Sequence, residues 1–165
     1  MIIALASYFE GDISANSVYF SLMCFLIVVG LFLSYGTVYD HLIDREMKTS
    51  GLVYMLYHIF LIFAMNNITT ALEFMQDDEV DLIPKMLLLI ISFILYYTSL
   101  FLTLRYSKTK CKPTARFRLT MAGVAISFIA LMLIFRHNMY VNIALTVAYV
   151  FGIYGLLYKF RKNVG

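Results

Sequence analysis

The sequence predicts an all-α, polytopic membrane protein with five transmembrane helices and an N-terminal half-helix. Three observations carry that expectation. The composition is 62% hydrophobic and only 14% charged, against roughly 25% charged in an ordinary soluble domain, and the mean hydropathy is +0.82. A water-soluble domain of 165 residues has too much surface for its volume to be covered by so few charges. The charges also fall into clusters separated by five uncharged stretches, each reaching the minimum of about 17 residues of helix needed to cross a hydrocarbon core of about 30 Å. Finally, the cations concentrate in alternate connections, which gives the arrangement a sidedness.

Residues 1–9 are apolar, but as a helix they reach only about 13 Å at a rise of about 1.5 Å per residue. They are read as a half-helix or the stump of a longer chain. Ala4-Leu5-Ala6 mimics a signal-peptidase site, yet no basic residue precedes it and its apolar region is too short. The spans then follow at about 13–39, 49–72, 86–104, 119–135 and 138–158. The fourth window is the shortest, at 17 residues. The aliphatic stems of its flanking Arg118 and Arg136 let their charges reach the headgroup region. Both prolines, Pro84 and Pro113, fall in connections, so there is no sign of the discontinuous helices that mark many secondary transporters. With no internal repeat, linker or change of composition, residues 1–165 read as a single membrane domain.

Short loops rich in Lys and Arg stay on the cytoplasmic side. Residues 105–118 hold Arg105, Lys108, Lys110, Lys112, Arg116 and Arg118. Fixing that connection inside brings Arg45, Lys48, Lys159, Arg161 and Lys162 inside too, leaving Lys85 and Arg136 as the outer pair among 13 basic residues. The acidic Glu10, Asp12, Glu73, Asp77, Asp78, Glu79 and Asp81 then lie outside. The expected location is the cytoplasmic membrane, with the N-terminus out and the C-terminus in. Tyr35, Tyr39, Tyr54, Tyr57, Tyr106, Tyr154 and Tyr158 gather near the cytoplasmic ends, as amphipathic rings do at an interface.

No Gly-rich phosphate loop, metal-spaced Cys or His pair, or nucleophile elbow occurs. The chain is therefore read as non-enzymatic, with no catalytic, cofactor or metal residues. Cys24, mid-span, and Cys111, in a basic loop, should sit at different depths and form no disulfide. The six-cation connection could attract nucleic acid or anionic lipid, but its place beside two spans favours a topology signal touching lipid headgroups. The lipid bilayer is the expected surrounding, nucleic acid is not an expected partner, and a membrane-protein partner or a homo-oligomer is left open.

The polar residues within the spans are the candidates for function. At 100° per residue His58, Asn66, Thr69 and Glu73 fall on one side of the second helix. Because ionisable groups at membrane depth favour the bundle interior, this stripe is expected to face inward, either as hydrogen-bonding glue between helices or as part of a substrate or proton path. Asn142, Thr146 and Tyr149 form a second stripe at i, i+4, i+7 on the fifth helix, positioned to meet the first. Gly123 and Ser127 make a small-xxx-small pair suited to close helix approach. The run 40–48 reads either as a cation site, with Asp40 and Asp44 on one helical face, or as a solvated helix extension with an Asp44–Lys48 pair. The sequon at Asn67 lies inside a span, out of reach of a transferase.

Several positions share an order with a known family. The run Ile2-Ile3-Ala4-Leu5, the helix end Tyr39-Asp40-His41-Leu42-Ile43-Asp44-Arg45, then Tyr57-His58 and Ala71-Leu72 resemble the C-terminal portion of the bacterial low-temperature-requirement protein A family. Tyr35-Gly36 stands where that family carries an aromatic pair, and Ala6-Ser7 where it carries Gly-Glu. The resemblance implies a longer parent architecture and an association with growth in the cold, without a biochemical activity to transfer. It suggests a stress-related protein acting by a transport-like or lipid-linked route. His58, Asn66 and Glu73 would line its polar interior, and Asp40 and Arg45 would hold the cytoplasmic ends of the first two helices. The alternative is a structural or accessory subunit of a membrane complex.

Overall fold

The computed structural model describes residues 15–44, 51–75, 81–108 and 111–164. These form five long helices: α1 (Ala15–Thr37), α2 (Leu52–Phe74), α3 (Leu82–Thr103), α4 (Ala115–Ile134) and α5 (Met139–Val164). All five are long and apolar enough to cross a membrane. The expected N-terminal half-helix and Arg45 lie outside the described residues.

The helix ends differ from the uncharged windows, and the reason is the same in each case: a charge ends a hydropathy window without ending a helix. α3 begins at Leu82 rather than near residue 86, taking Pro84 and Lys85 into its first turn, where proline loses no intrahelical hydrogen bond. Lys85, expected in an outer connection, is thus helical and buried. α4 starts at Ala115, where the Thr114 side chain accepts a hydrogen bond from Phe117 N at 3.2 Å, a standard N-cap that satisfies one orphan donor. α5 runs to Val164 and carries Arg161 and Lys162 in its last turn, where cations suit the negative end of the helix dipole.

α1 closes with a π-helical turn, Val38–Leu42, after which Ile43 is extended. A solvated helix continuing through residues 43–44 is therefore not found. Asp40 and Asp44 do not share a helical face. The chain leaves the helix because Ile43 bridges to Ser107, with Asp44 N donating to Tyr106 O at 2.9 Å and Lys108 N donating to Leu42 O at 3.0 Å. This two-bond clip joins the α1–α2 connection to the α3–α4 connection.

The principal helix pairs are α2 with α3, α1 with α5, and α4 with α5. α3 is the most enclosed helix: 56% of its apolar stretch is buried, against 17% for α2 and for α4. Leu89, Phe93, Tyr96 and Leu100 lie on its inner face at helical spacing, all nearly fully buried. Phe93 meets Phe128 of α4 and Tyr149 of α5 edge-on, and Phe128 stacks on Tyr149 with centroids 4.1 Å apart. The Tyr96 hydroxyl donates to Leu31 O at 2.8 Å, tying α3 to α1 through a buried bond.

α1 and α5 approach closely at Gly30, where a methyl group would strike Cγ1 of Val150. Gly123, expected to bring helices together with Ser127, has nothing near its Cα direction within 4 Å, and both residues are exposed. No helix among the described residues uses that pair. Gly30→Ala should therefore destabilise the chain by about 1–3 kcal/mol through overpacking, whereas Gly123→Ala should be neutral or slightly stabilising because alanine is the better helix former. Thermal unfolding of the two variants in the same detergent checks the contrast.

Candidate functional site

α1 ends, α2 begins and α3 ends at the same end of the bundle, the end held by the Ile43–Ser107 clip. Their terminal turns converge on His58. Its Nδ1 lies 2.9 Å from Tyr54 O, one turn back on its own helix, and its Nε2 lies 3.0 Å from the Tyr35 hydroxyl of α1. A carbonyl oxygen can only accept, so Nδ1 carries the ring proton, and in the neutral imidazole Nε2 then accepts from Tyr35. Tyr35 and Tyr54 both pack against the imidazole. Tyr39 stacks on Tyr35 at 5.5 Å and meets the imidazole edge-on, while Tyr106 contacts Tyr54 and Tyr57.

His58 is thereby held from two directions, by its Nδ1 proton on its own helix and by its Nε2 lone pair on Tyr35 of α1. The tyrosines near the helix ends were legible as an interfacial belt, but their convergence on one histidine was not. Tyr35 and His58 stand 23 residues apart, with no periodicity to link them.

The other members of the first stripe diverge from His58. Thr69 is half-buried and donates to Met65 O on its own helix at 3.1 Å. Asn66 and Glu73, expected to face the interior, are both exposed, and the Asn66 amide finds no hydrogen-bond partner among the described residues. The shared side of α2 is real, but its Asn66–Glu73 edge points away from the bundle because Leu61, Ala64, Ile68, Ala71 and Leu72 form the buried face.

The second stripe is interior. Asn142, Thr146 and Tyr149 are all buried. Asn142 Nδ2 donates to Phe135 O at 3.2 Å, a second hydrogen bond to a carbonyl at the end of α4 that already accepts from Asn138 N at 2.9 Å. Asn138 Oδ1 accepts from Val141 N at 3.2 Å and caps α5. Thr146 donates to Asn142 O at 2.8 Å. Asn142 Oδ1 itself has no partner. The two stripes do not meet, since α2 and α5 are not a principal pair.

Most hydroxyls in the helices follow the same habit as Thr146. Ser34, Thr37, Thr70, Ser92, Thr103, Thr120 and Ser127 each donate to a carbonyl three or four residues back. Their donors are used locally, which satisfies the hydroxyls within each helix and builds no relay between helices. The Tyr97 hydroxyl turns toward Ser34 without closing a hydrogen bond. Asp40 is exposed on the π turn. Cys24 and Cys111 are both free and both buried, so the loop thiol is more enclosed than its position suggested. Among the described residues no group of three or more His, Cys, Asp and Glu side chains could hold a metal ion.

Tyr35→Phe removes one part-buried hydrogen bond and should cost about 0.5–1.5 kcal/mol. His58→Ala should cost more, since it also removes the ring contacts. A double-mutant cycle in detergent should return a coupling of about 1 kcal/mol, the range for side chains in direct contact. Additive losses would show that the two groups do not interact.

Comparison with protein-family models, with curated proteins and with solved structures finds no match to this chain.

Proposed function

We propose that this is a non-enzymatic, multi-pass protein of the cytoplasmic membrane that works as a structural or accessory subunit, through a partner helix or a second copy of itself seated on α2. The observation that carries this reading is the exposure of Asn66, Thr70 and Glu73, which share one face of α2 at i, i+4 and i+7. Asn66 is 14 residues into a 23-residue helix, about 21 Å from its start at about 1.5 Å per residue. That depth is well inside a hydrocarbon core of about 30 Å. A side-chain amide facing lipid there forfeits its hydrogen bonds, whereas an amide against a neighbouring helix recovers them for roughly 0.6–2 kcal/mol. The open Gly123–Ser127 face of α4 supplies a second surface on which a helix backbone could approach closely.

The distribution of Lys and Arg supports an orientation with the His58 cage and the 105–118 connection on the cytoplasmic side and the Asn66–Glu73 half of α2 toward the outside. A second reading, a transport-like or stress-related role in line with the resemblance to the low-temperature-requirement family, is favoured by the His58–Tyr35 pair, which provides one protonatable group near the inner boundary. In that reading Asp40 and Arg45 brace the cytoplasmic ends of α1 and α2.

In a background lacking Cys24 and Cys111, Asn66→Cys should cross-link within the membrane, either to a second copy or to one partner chain in stoichiometric amount. Leu61→Cys, buried inside the chain, should not. Equal, weak cross-linking at both positions would leave α2 facing lipid and would end the subunit reading. In the same background Lys112→Cys should react with an impermeant thiol reagent only after cells are opened; labelling of intact cells would reverse the orientation. For the second reading, His58→Ala and Asp40→Asn should fail to restore growth in the cold, and full complementation by both would make those positions structural.

A further inference from the structure

We infer that the cleft between α3, α4 and α5 is a binding site for one acidic phospholipid of the inner leaflet. The cleft encloses about 730 Å³, within the range of roughly 300–1,000 Å³ typical of small-molecule sites. Ile94 and Phe101 of α3, Met121 and Ala125 of α4 and Ile153 of α5 form apolar walls. At one end the lining changes character to Arg105, Lys112 and Arg118. The chain is therefore apolar along the shaft of the cleft and cationic at its mouth.

The architecture explains why the cleft stays open. α3 and α4 follow each other in sequence but are not a principal packing pair, and α4 leans on α5 instead. The side of α4 facing the gap carries the small residues Ala122 and Ala125, which leave space where larger side chains would close it. Arg105, Lys112 and Arg118 are all exposed, and none of their side chains has a hydrogen-bond or ion-pair partner among the described residues. Three cations beside an apolar channel complement a molecule with an anionic head and an aliphatic tail.

Arginine favours phosphate because its guanidinium donates two parallel hydrogen bonds to the oxygens. Basic pockets between membrane helices on the cytoplasmic side hold acidic headgroups by this chemistry. In the proposed orientation Arg105, Lys112 and Arg118 stand at headgroup level, since they follow α3 and open α4, while the apolar walls lie deeper. The phosphodiester of the lipid sits among the three cations and one acyl chain lies along the wall between Phe101 and Met121. The site is separate from the α2 face and does not depend on a partner chain.

Native mass spectrometry of the delipidated protein in detergent tests this with two probes of identical acyl chains, dioleoyl phosphatidylglycerol and dioleoyl phosphatidylcholine. The wild type should retain one phosphatidylglycerol saturably, with about tenfold preference over phosphatidylcholine, which has the same phosphodiester but adds a choline cation that the three basic side chains repel. Arg105→Gln with Arg118→Gln should abolish the preference. Ala122→Phe, at an exposed cleft position, should weaken both lipids by filling the channel. Arg161→Gln, whose guanidinium lies over Tyr158 outside the cleft, should leave the preference intact. Both exposed arginine substitutions keep the core untouched, so monodisperse elution should persist. An unchanged preference in the double variant, an equal loss in Arg161→Gln, or binding that rises without saturation would overturn the assignment.

Discussion

Long helices are forced on a chain whose outward faces are apolar, and most other features follow from that constraint. Phe25, Phe32, Phe63, Leu119, Ile126 and Ile134 all point away from the rest of the described chain. A medium that suits those side chains offers no hydrogen bonds, so each backbone N–H and C=O must find its partner within the chain. The helices run without interruption, and their hydroxyls bond back to their own carbonyls. The ends are tied by Thr114, Asn138 and the Asn142 amide. Where a helix does stop early, at Leu42, its continuation is held by backbone bonds to Tyr106 and Lys108 rather than left open.

Within that frame the polar side chains sort into three kinds. Those at the helix junction between α4 and α5 serve the backbone: Asn142 reinforces the end of α4 by adding a second hydrogen bond to the Phe135 carbonyl, beside the one from Asn138 N. Those at the clipped end, His58 and the tyrosines around it, make contacts across three elements and bind the imidazole from two directions. Asn66 and Glu73 point outward from α2, and the proposed subunit role is built on that exposure rather than on an interior path. The cationic mouth of the α3–α4–α5 cleft adds a surface matched to lipid chemistry at the same end as His58.

The five helices were legible because hydropathy and the spacing of charges are properties of the linear chain. Their ends were less so: Lys85, Arg116, Arg161 and Lys162 sit inside helices, since long side chains carry charge away from a helix that continues beneath them. Periodicity grouped Asn66 and Glu73 with His58 on one side of α2, yet could not say which way that side turned. Lipid tails are as apolar as leucine, so a helix with apolar residues all round gives no contrast between inner and outer faces. The Ile43–Ser107 clip and the Tyr35–His58 bond join residues far apart in sequence through single contacts, and a lone tyrosine or serine carries no sign of its distant partner. The Gly123–Ser127 spacing marked a place for close helix approach, whereas the packed glycine is Gly30 against Val150, which no spacing set apart.

The central claim is that these five apolar helices are dissolved in a bilayer rather than folded against one another in water. Washing isolated membranes with alkaline carbonate, which strips peripheral proteins, tests it most directly. The chain should remain in the membrane pellet and enter solution only with detergent; its release into the carbonate supernatant as a folded species would contradict the account.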